Sequence, residues 1–446
     1  MMDELRIHII TYNVATRNPE GNIMELLGIS EKDNKLTLPD FFLIGLQEVK
    51  SQPQNFVMDA LFNDPWTNAI KNVLVKYGYI KAKTVRLVGI VLSMFCLRKH
   101  IIHLRDMQNI STRTGLMGLW GNKGGVSQRL QIYGCSICFV NCHLAAHDHL
   151  LQERISDYNQ ILHHQKFNTE EATSIFFHDY VFWFGDLNFR LDNETENENL
   201  SAETIIQKVK DDDFLPLLEY DQLKCAMTTG EAFSELNEPD ITFPPTYKFM
   251  FHSNEYDVSR RPGWTDRILY KVNADVYENV TLDTCSLEYK AIDNFSCSDH
   301  RPVMGIFTIK VFSDYAERVV KFQPIQSWFT NQENSATCLL GADVDPKIWD
   351  WVGIFKENFS SLDEYQGFIY LANNNTETAA EALPNNIRSG DRLELKFHEN
   401  IITNPGKYRL LYFSHDSGSV LGMSGPFQLL NKGTTVNNSQ RAHLDW

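Results

Sequence analysis

The stretch Val181-Phe182-Trp183-Phe184-Gly185-Asp186-Leu187-Asn188-Phe189-Arg190 decides how the rest of the chain is read. Its first four residues are bulky, apolar and β-prone, the composition of a strand buried on both faces. The strand stops at Gly185, and a carboxylate (Asp186) and a carboxamide (Asn188) follow at once. Side chains i and i+2 across a strand end point the same way. A rigid pair of this kind can position a water against a phosphorus centre. Asp, Asn and Gly are also ordinary turn residues after strands. The catalytic reading gains because other strand ends carry similar groups: Asn13, Glu48, His143, and Asp299 beside His300.

At 446 residues the chain exceeds a comfortable single domain, so one large and one smaller domain are expected. Hydrophobic residues make up 43%, ample for a packed core. A net charge of −16 argues against a general nucleic-acid or anionic-membrane surface. Any anionic ligand then has to be met by a local basic cluster or through a metal. The eight cysteines are scattered, mostly in apolar runs, and are expected as reduced, buried thiols. Cys135 and Cys138 form a lone CxxC, which without a second pair does not make a zinc site. No cysteine has an arginine six positions on, which removes cysteine-nucleophile phosphatase chemistry. The N-terminus enters a strand without signal-peptide composition, and the longest apolar run, residues 87–97, is too short to span a bilayer. A soluble, cytoplasmic chain is expected.

Residues 5–310 alternate strands and helices. A first strand ends at Asn13, and a buried one at 41–46 delivers Gln47 and Glu48. Helical patterns follow at 56–62 and 66–77, then strand-like runs at 79–86, 89–97 and 101–110. Residues 124–132 and 135–141 read as a hairpin ending in His143. Apolar residues at helical spacing over 149–164 give an amphipathic helix, and Ser201 caps another. Strands at 268–272, 276–287 and 302–312 close the domain. The expected fold is an α/β (α+β) two-layered β-sandwich with one active edge. Residues 322–430 carry only short, turn-punctuated strands and read as a second, all-β sandwich. The expected division is 1–313, 314–430 and a loose tail at 431–446.

The acidic edge suits a hard divalent cation, which prefers carboxylate and carbonyl oxygens. Glu48, directly after a buried strand, is the best single ligand candidate, with Asn13 as a nearby amide oxygen donor. Asp299 beside His300 is the usual pairing for orienting and charging an imidazole. His143 reads as a phosphate hydrogen-bond donor and His147 as structural. Arg267, beside an apolar run, reads as a structural ion-pair partner.

Asn13 in TYNV, Glu48 in GLQEV, Asn122-Lys123 in WGNKGGV, His143 in NCHLAAH and Asp186 with Asn188 in WFGDLNFRL occur in that order. PPTYKF at 244–249, RRPGWTDRIL at 260–269 and CSDHRPV at 297–303 follow. Over roughly residues 5–312 the chain resembles the inositol polyphosphate 5-phosphatases of the endonuclease/exonuclease/phosphatase superfamily. Residues 349–355 (WDWVGIF), 412–414 (YFS) and 424–427 (SGPF) resemble a SKICH domain, an immunoglobulin-like β-sandwich. Thr265 departs from the Cys found in many relatives, but it flanks Asp266 rather than replacing it.

The resemblance implies a Mg²⁺-dependent removal of the 5-phosphate by in-line attack of water, without a phosphoenzyme. Glu48 would bind Mg²⁺ with Asn13 adjoining, Asp186 would orient or deprotonate the water, and Asn188 would hold it with a phosphate oxygen. His300, charged by Asp299, would stabilise the phosphorane oxygens, and Asp266 would orient His143. Asn122, Lys123, Tyr247, Lys248 and one of Arg260 and Arg261 would read the phosphates that are not cleaved; the residues themselves do not choose between the two arginines. The implied substrates are phosphoinositide lipids and inositol phosphates. The implied setting is peripheral contact with the plasma membrane and endoplasmic reticulum, and a protein partner for the SKICH domain. The apolar loop at 116–120 is a candidate to dip into lipid, or else core. A nuclease on the same fold is disfavoured by the charge, with no nucleic-acid partner expected, and a non-catalytic binding module by the filled catalytic positions.

Overall fold

The computed structural model describes residues 2–30, 38–50, 64–115, 122–169, 172–192, 200–313, 315, 319–342, 344–374 and 389–432. The helical pattern at 56–62, the apolar loop at 116–120 and nearly all of the tail at 431–446 lie outside them. The chain divides into two compact units, Met1–Ile101 with Asp106–Tyr315, and Ile102–Arg105 with Ala316–Trp446.

The strands of the first unit are β1 (Met2–Asn13), β2 (Phe41–Gln47), β3 (Tyr79–Leu87), β4 (Ile90–Leu97), β5 (Arg105–Arg113) and β6 (Gly124–Ile132). They continue as β7 (Cys135–His143), β8 (Tyr180–Asp186), β9 (Asp266–Val272), β10 (Thr284–Ala291) and β11 (Val303–Phe312). One sheet runs β10-β11-β1-β2-β4-β3 and the other β5-β6-β7-β8-β9. Each has one central parallel pair, β1 with β2 and β7 with β8. In each pair one strand, β2 or β8, is a nearly continuous apolar run, because one face meets the other sheet and the other face meets helices. Phe182 bridges the layers, its ring 5.7 Å from Phe139 and 5.2 Å from Phe307. Polar residues caught between the sheets are held by hydrogen bonds: Gln47 Nε2 donates to Asn141 Oδ1 at 2.7 Å, and Asn141 Nδ2 to Val91 O at 2.8 Å. Helix Pro65–Leu74 covers the first sheet, and helices Leu151–His164 and Gln222–Thr229 cover the second.

In the second unit the strands are β12 (Val320–Phe322), β13 (Trp328–Phe329), β14 (Asn334–Leu340), β15 (Trp351–Lys356) and β16 (Gly367–Tyr370). Then come β17 (Arg392–Phe397), β18 (Gly406–Phe413), β19 (Val420–Met423) and β20 (Phe427–Leu430). They form a β12-β14-β17 sheet and a β13-β20-β18-β15-β16 sheet, with β19 beside β18. Val352, Ile354, Leu395, Leu410, Tyr412 and Leu429 form the core.

The two-layered sandwich and the following β domain agree with the sequence reading; some element bounds do not. The strand expected at 276–287 begins only at Thr284, because Tyr277 bridges Val280 in a tight turn with Asn279 at φ +65°. Residues 98–103 form a 3₁₀ turn, so the strand expected from 101 begins only at Arg105. Helix Gln222–Thr229 went unread. It has an Asp221 N-cap and a left-handed Gly230 at its end, but it is too short for its periodicity to stand out.

Candidate active site

Strand register assembles the site. His143 on β7 lies opposite Asp186 on β8, and Asp186 lies opposite Asp266 on β9, so three functional side chains stand abreast at one sheet edge. Gly185 makes this possible: at φ +144° a Cβ would come 2.0 Å from Cys142 O, so only glycine lets β7 and β8 close up. From the other sheet, Asn13 ends β1 and Glu48 follows β2, where it turns the chain out at φ +56°.

Asp186 is almost fully buried. Its Oδ1 accepts from the Asn188 amide at 3.2 Å, and its Oδ2 accepts from Asn13 Nδ2 at 2.9 Å. His143 Nε2 lies 3.2 Å and His300 Nε2 3.9 Å from Oδ2. Burial opposes the charge, but the two imidazoles and the Lys123 ammonium outweigh it and hold the Asp186 carboxyl well below the usual carboxylate range. Lys123 Nζ hydrogen-bonds His143 Nε2. Burial pulls the Lys123 ammonium down to about 8, and burial with Lys123 lowers His143. With Nε2 turned to Lys123 and Asp186, His143 is occupied within the cluster. To donate to a phosphate, as expected of it, Nε2 would exchange one of these contacts.

His300 pairs with Asp266, not with Asp299. Its Nδ1 meets Asp266 Oδ2 at 2.9 Å, and the same oxygen accepts from Thr246 Oγ1 at 2.7 Å and Thr265 Oγ1 at 2.8 Å. Asp299 makes its side-chain contact with Ser298 Oγ at 3.4 Å instead, and adds only its charge to the field around His300. Asp266 is correspondingly the partner of His300, and its expected orientation of His143 is also corrected. Burial would lower the His300 pKa, but Asp266 and Asp186 raise it to about 9.

Asp186, Asp266 and His300 offer atoms within 4.8 Å of one another. Three donors already converge on Asp266 Oδ2, so this trio reads as a hydrogen-bonded relay rather than an ion cage. Glu48 fits a hard cation better. Its side chain is 42% exposed, and among the described residues the one hydrogen bond to its carboxylate is from Asn13 Nδ2, at 3.3 Å. Asn13 was expected to offer its oxygen. Instead Oδ1 accepts from Ala15 N at 3.0 Å, which turns the amide nitrogen towards the two carboxylates.

Around this cluster the substrate candidates separate. Tyr247 lays its ring 4.5 Å from that of His300. Lys248 Nζ pairs with Asp257 at 3.1 Å, and Asn122 is exposed. Arg261 is held to Asp148 through Nε at 3.1 Å and Nη2 at 3.0 Å, whereas Arg260 is exposed. Arg267 is fully buried between Asp221 and Glu238, the structural ion pair expected of it. Thr246, Thr265 and Arg190 were missed as site residues. Arg190 donates to Asn188 Oδ1 at 2.5 Å and lies over the Tyr247 ring at 4.6 Å, while Asn188 Nδ2 donates to Leu144 O at 3.1 Å. Only its place in the opening motif could have pointed to it.

The family profile described as Endonuclease/Exonuclease/phosphatase family 2 matches residues 10–306, and the SKICH domain profile matches residues 320–429. Over 95% of its length the chain is 32% identical to phosphatidylinositol 4,5-bisphosphate 5-phosphatase A of Homo sapiens, of which the match covers 41%. Over 95% it is also 30% identical to inositol polyphosphate 5-phosphatase K of Mus musculus, of which the match covers 90%. The chain thus spans less than half of the first relative and most of the second. A crystallised inositol polyphosphate 5-phosphatase domain of a synaptojanin, in complex with inositol (1,4)-bisphosphate and calcium, superposes with a TM-score of 0.58 at 30% identity. That match covers 70% of this chain and 86% of the synaptojanin chain. With both profiles in sequence and relatives aligned along nearly its whole length, the chain belongs to the inositol polyphosphate 5-phosphatase family, with a C-terminal SKICH domain.

Proposed function

We propose that the protein is a Mg²⁺-dependent hydrolase that removes the 5-phosphate from phosphoinositides and soluble inositol polyphosphates, and so lowers phosphoinositide signals. The observation that carries this reading is the buried cluster of Asp186, His300 and Asp266 beside the half-exposed Glu48. Glu48 would hold the cation, which when bound supplies electrostatic stabilisation of charge developing on the phosphoryl group.

The remaining steps fall to the chain's own residues. Water attacks phosphorus in line as the phosphorus–oxygen bond to the inositol ring breaks; the water gives up a proton to solvent and the departing ring oxygen takes one from solvent. A carboxylate held as acidic as Asp186 is a poor proton acceptor but a strong hydrogen-bond acceptor, so its role is to orient the water. Asn188, clamped by Arg190 and Leu144, directs the rest of its amide to a phosphoryl oxygen. His300, kept cationic by Asp266, donates to the spreading negative charge, and a preorganised charge in a dry site is worth several kcal/mol there. Tyr247, Lys248, Lys123, Asn122 and Arg260 would meet the neighbouring ring phosphates. Arg260 is preferred because Arg261 is held by Asp148.

The SKICH domain would serve targeting, through a protein partner, with the chain cytoplasmic and peripheral at membranes. Phosphate release from phosphatidylinositol 4,5-bisphosphate, the 3,4,5-trisphosphate and soluble inositol phosphates, with and without Mg²⁺, tests the reading. Cation-dependent release of the 5-phosphate supports it. No release from any of them, or cleavage of DNA instead, would overturn it.

A further inference from the structure

Beyond Tyr247 the chain doubles back as a hairpin. The Asp257 amide donates to Lys248 O at 2.9 Å, the Met250 amide to Glu255 O at 2.8 Å, and Phe249 bridges Tyr256. Phe249 turns inward, stacked on Tyr256 and lying under the guanidinium of Arg301 at 3.8 Å. The residues about it turn outward. Met250 is 53% exposed, Phe251 at the tip 41%, and Val258 on the return arm 63%. Hairpin tips are ordinarily made of small polar residues, so three large apolar side chains on one short hairpin call for an occupant. Arg17 places its guanidinium over the Phe251 ring at 4.3 Å, and Arg260 is exposed just past Val258. Of the acids nearby, Asp257 is paired with Lys248 at 3.1 Å and Glu20 lies 3.9 Å from His252 Nε2, while Glu255 on the return arm is exposed.

We propose that this hairpin tip is a membrane-contact element, with Met250, Phe251 and Val258 entering the boundary between headgroups and acyl chains of a bilayer, and Arg17 and Arg260 at headgroup level. The inference rests on the reading of the site as a phosphoinositide phosphatase and adds where such a substrate is met. A bilayer fits better than a protein. The same hairpin begins at Tyr247 and Lys248, with the Tyr247 ring against His300, so whatever covers the tip borders the way into the site. A lipid surface brings the substrate in its own plane, whereas a protein seated there would block it. With Lys248 paired to Asp257, adsorption is carried by apolar insertion, and anionic lipid adds through the two arginines, with Glu255 at headgroup level in water.

The test uses the full chain and three substrates: phosphatidylinositol 4,5-bisphosphate in phosphatidylcholine vesicles, its short-chain monomeric form, and soluble inositol 1,4,5-trisphosphate. Met250→Ser with Phe251→Ser, and separately Val258→Ser, replace exposed side chains, so unchanged melting is the control. The double variant should lose vesicle sedimentation and about tenfold or more of the vesicle rate, with both soluble substrates turned over within about twofold of wild type. Val258→Ser should show the same pattern more weakly. Unchanged vesicle binding and rate, or equal losses on all three substrates, would overturn the proposal. Wild-type protein that cleaves only the soluble substrates and ignores vesicles would overturn it too, while leaving the phosphatase reading intact. Inactivity on every substrate would sink the phosphatase reading itself.

Discussion

His300 is paired through Nδ1 with Asp266 Oδ2 at 2.9 Å, although Asp299 is its neighbour in sequence. The two carboxylates therefore separate by mutation. Asp266→Asn leaves the shape and both threonine contacts but removes the charge that keeps the imidazole cationic. It should lower kcat by about 10²-fold or more, while Asp299→Asn stays within about threefold. Steady-state kinetics on a soluble inositol phosphate compare the two; the opposite order would return the role to Asp299.

The same pairing sets a pH limit. The folded pKa of His300 is raised to about 9 from an ordinary 6.5, so the imidazolium and its contribution to stability are fully present below about pH 6.5. Both are lost as pH rises through about 9. Turnover should fall on that alkaline side, and Asp266→Asn should move the fall to lower pH. A pH–rate profile measured in both proteins at saturating cation checks this; a limb that does not move in the variant contradicts it.

Glu48→Gln should leave the fold intact, because the side chain is half exposed, yet raise the Mg²⁺ concentration needed for half-maximal rate. A neutral amide is a much weaker ligand for a hard cation. An unchanged Mg²⁺ titration would show that the cation binds elsewhere.

Lys248 and Arg260 should act on substrate reading alone. Losing a charge-assisted contact to phosphate costs roughly 1.5–3 kcal/mol, so Lys248→Ala should reduce kcat/KM about tenfold or more on substrates with a 4-phosphate. An aryl phosphate should be nearly unaffected. Arg260→Ala should follow the same pattern, whereas Arg261→Ala, which frees Asp148, should register mainly in melting temperature. Equal losses on both kinds of substrate would make Lys248 structural or catalytic.

Much of this architecture was legible in residue patterns, and the reason is physical. The continuous apolar runs of β2 and β8 mark parallel strands covered on both faces, and the polar residues that end such runs have to gather where the strands stop. Asn13, Glu48, His143 and Asp186 could be found that way. Pairing across elements could not. Asp299 and His300 are adjacent in the chain, yet the imidazole is paired with Asp266, which stands on β9 while His300 comes from the segment before β11. Arg190 was passed over for the same reason, since its partner Tyr247 lies on a distant hairpin. Asn13 was misjudged because the Ala15 amide claims its oxygen, a local contact that composition does not reveal.

The most direct measurement is turnover by Asp186→Asn. The substitution is isosteric, so folding and melting should be preserved, but it removes the charge on which Asn13, His143, His300 and the attacking water are arranged. The rate of phosphate release should fall by several orders of magnitude, on the order of 10³-fold or more, on lipid and soluble substrates alike. A folded variant that keeps more than about a tenth of the wild-type rate would contradict the assignment of Asp186 as the residue that positions water.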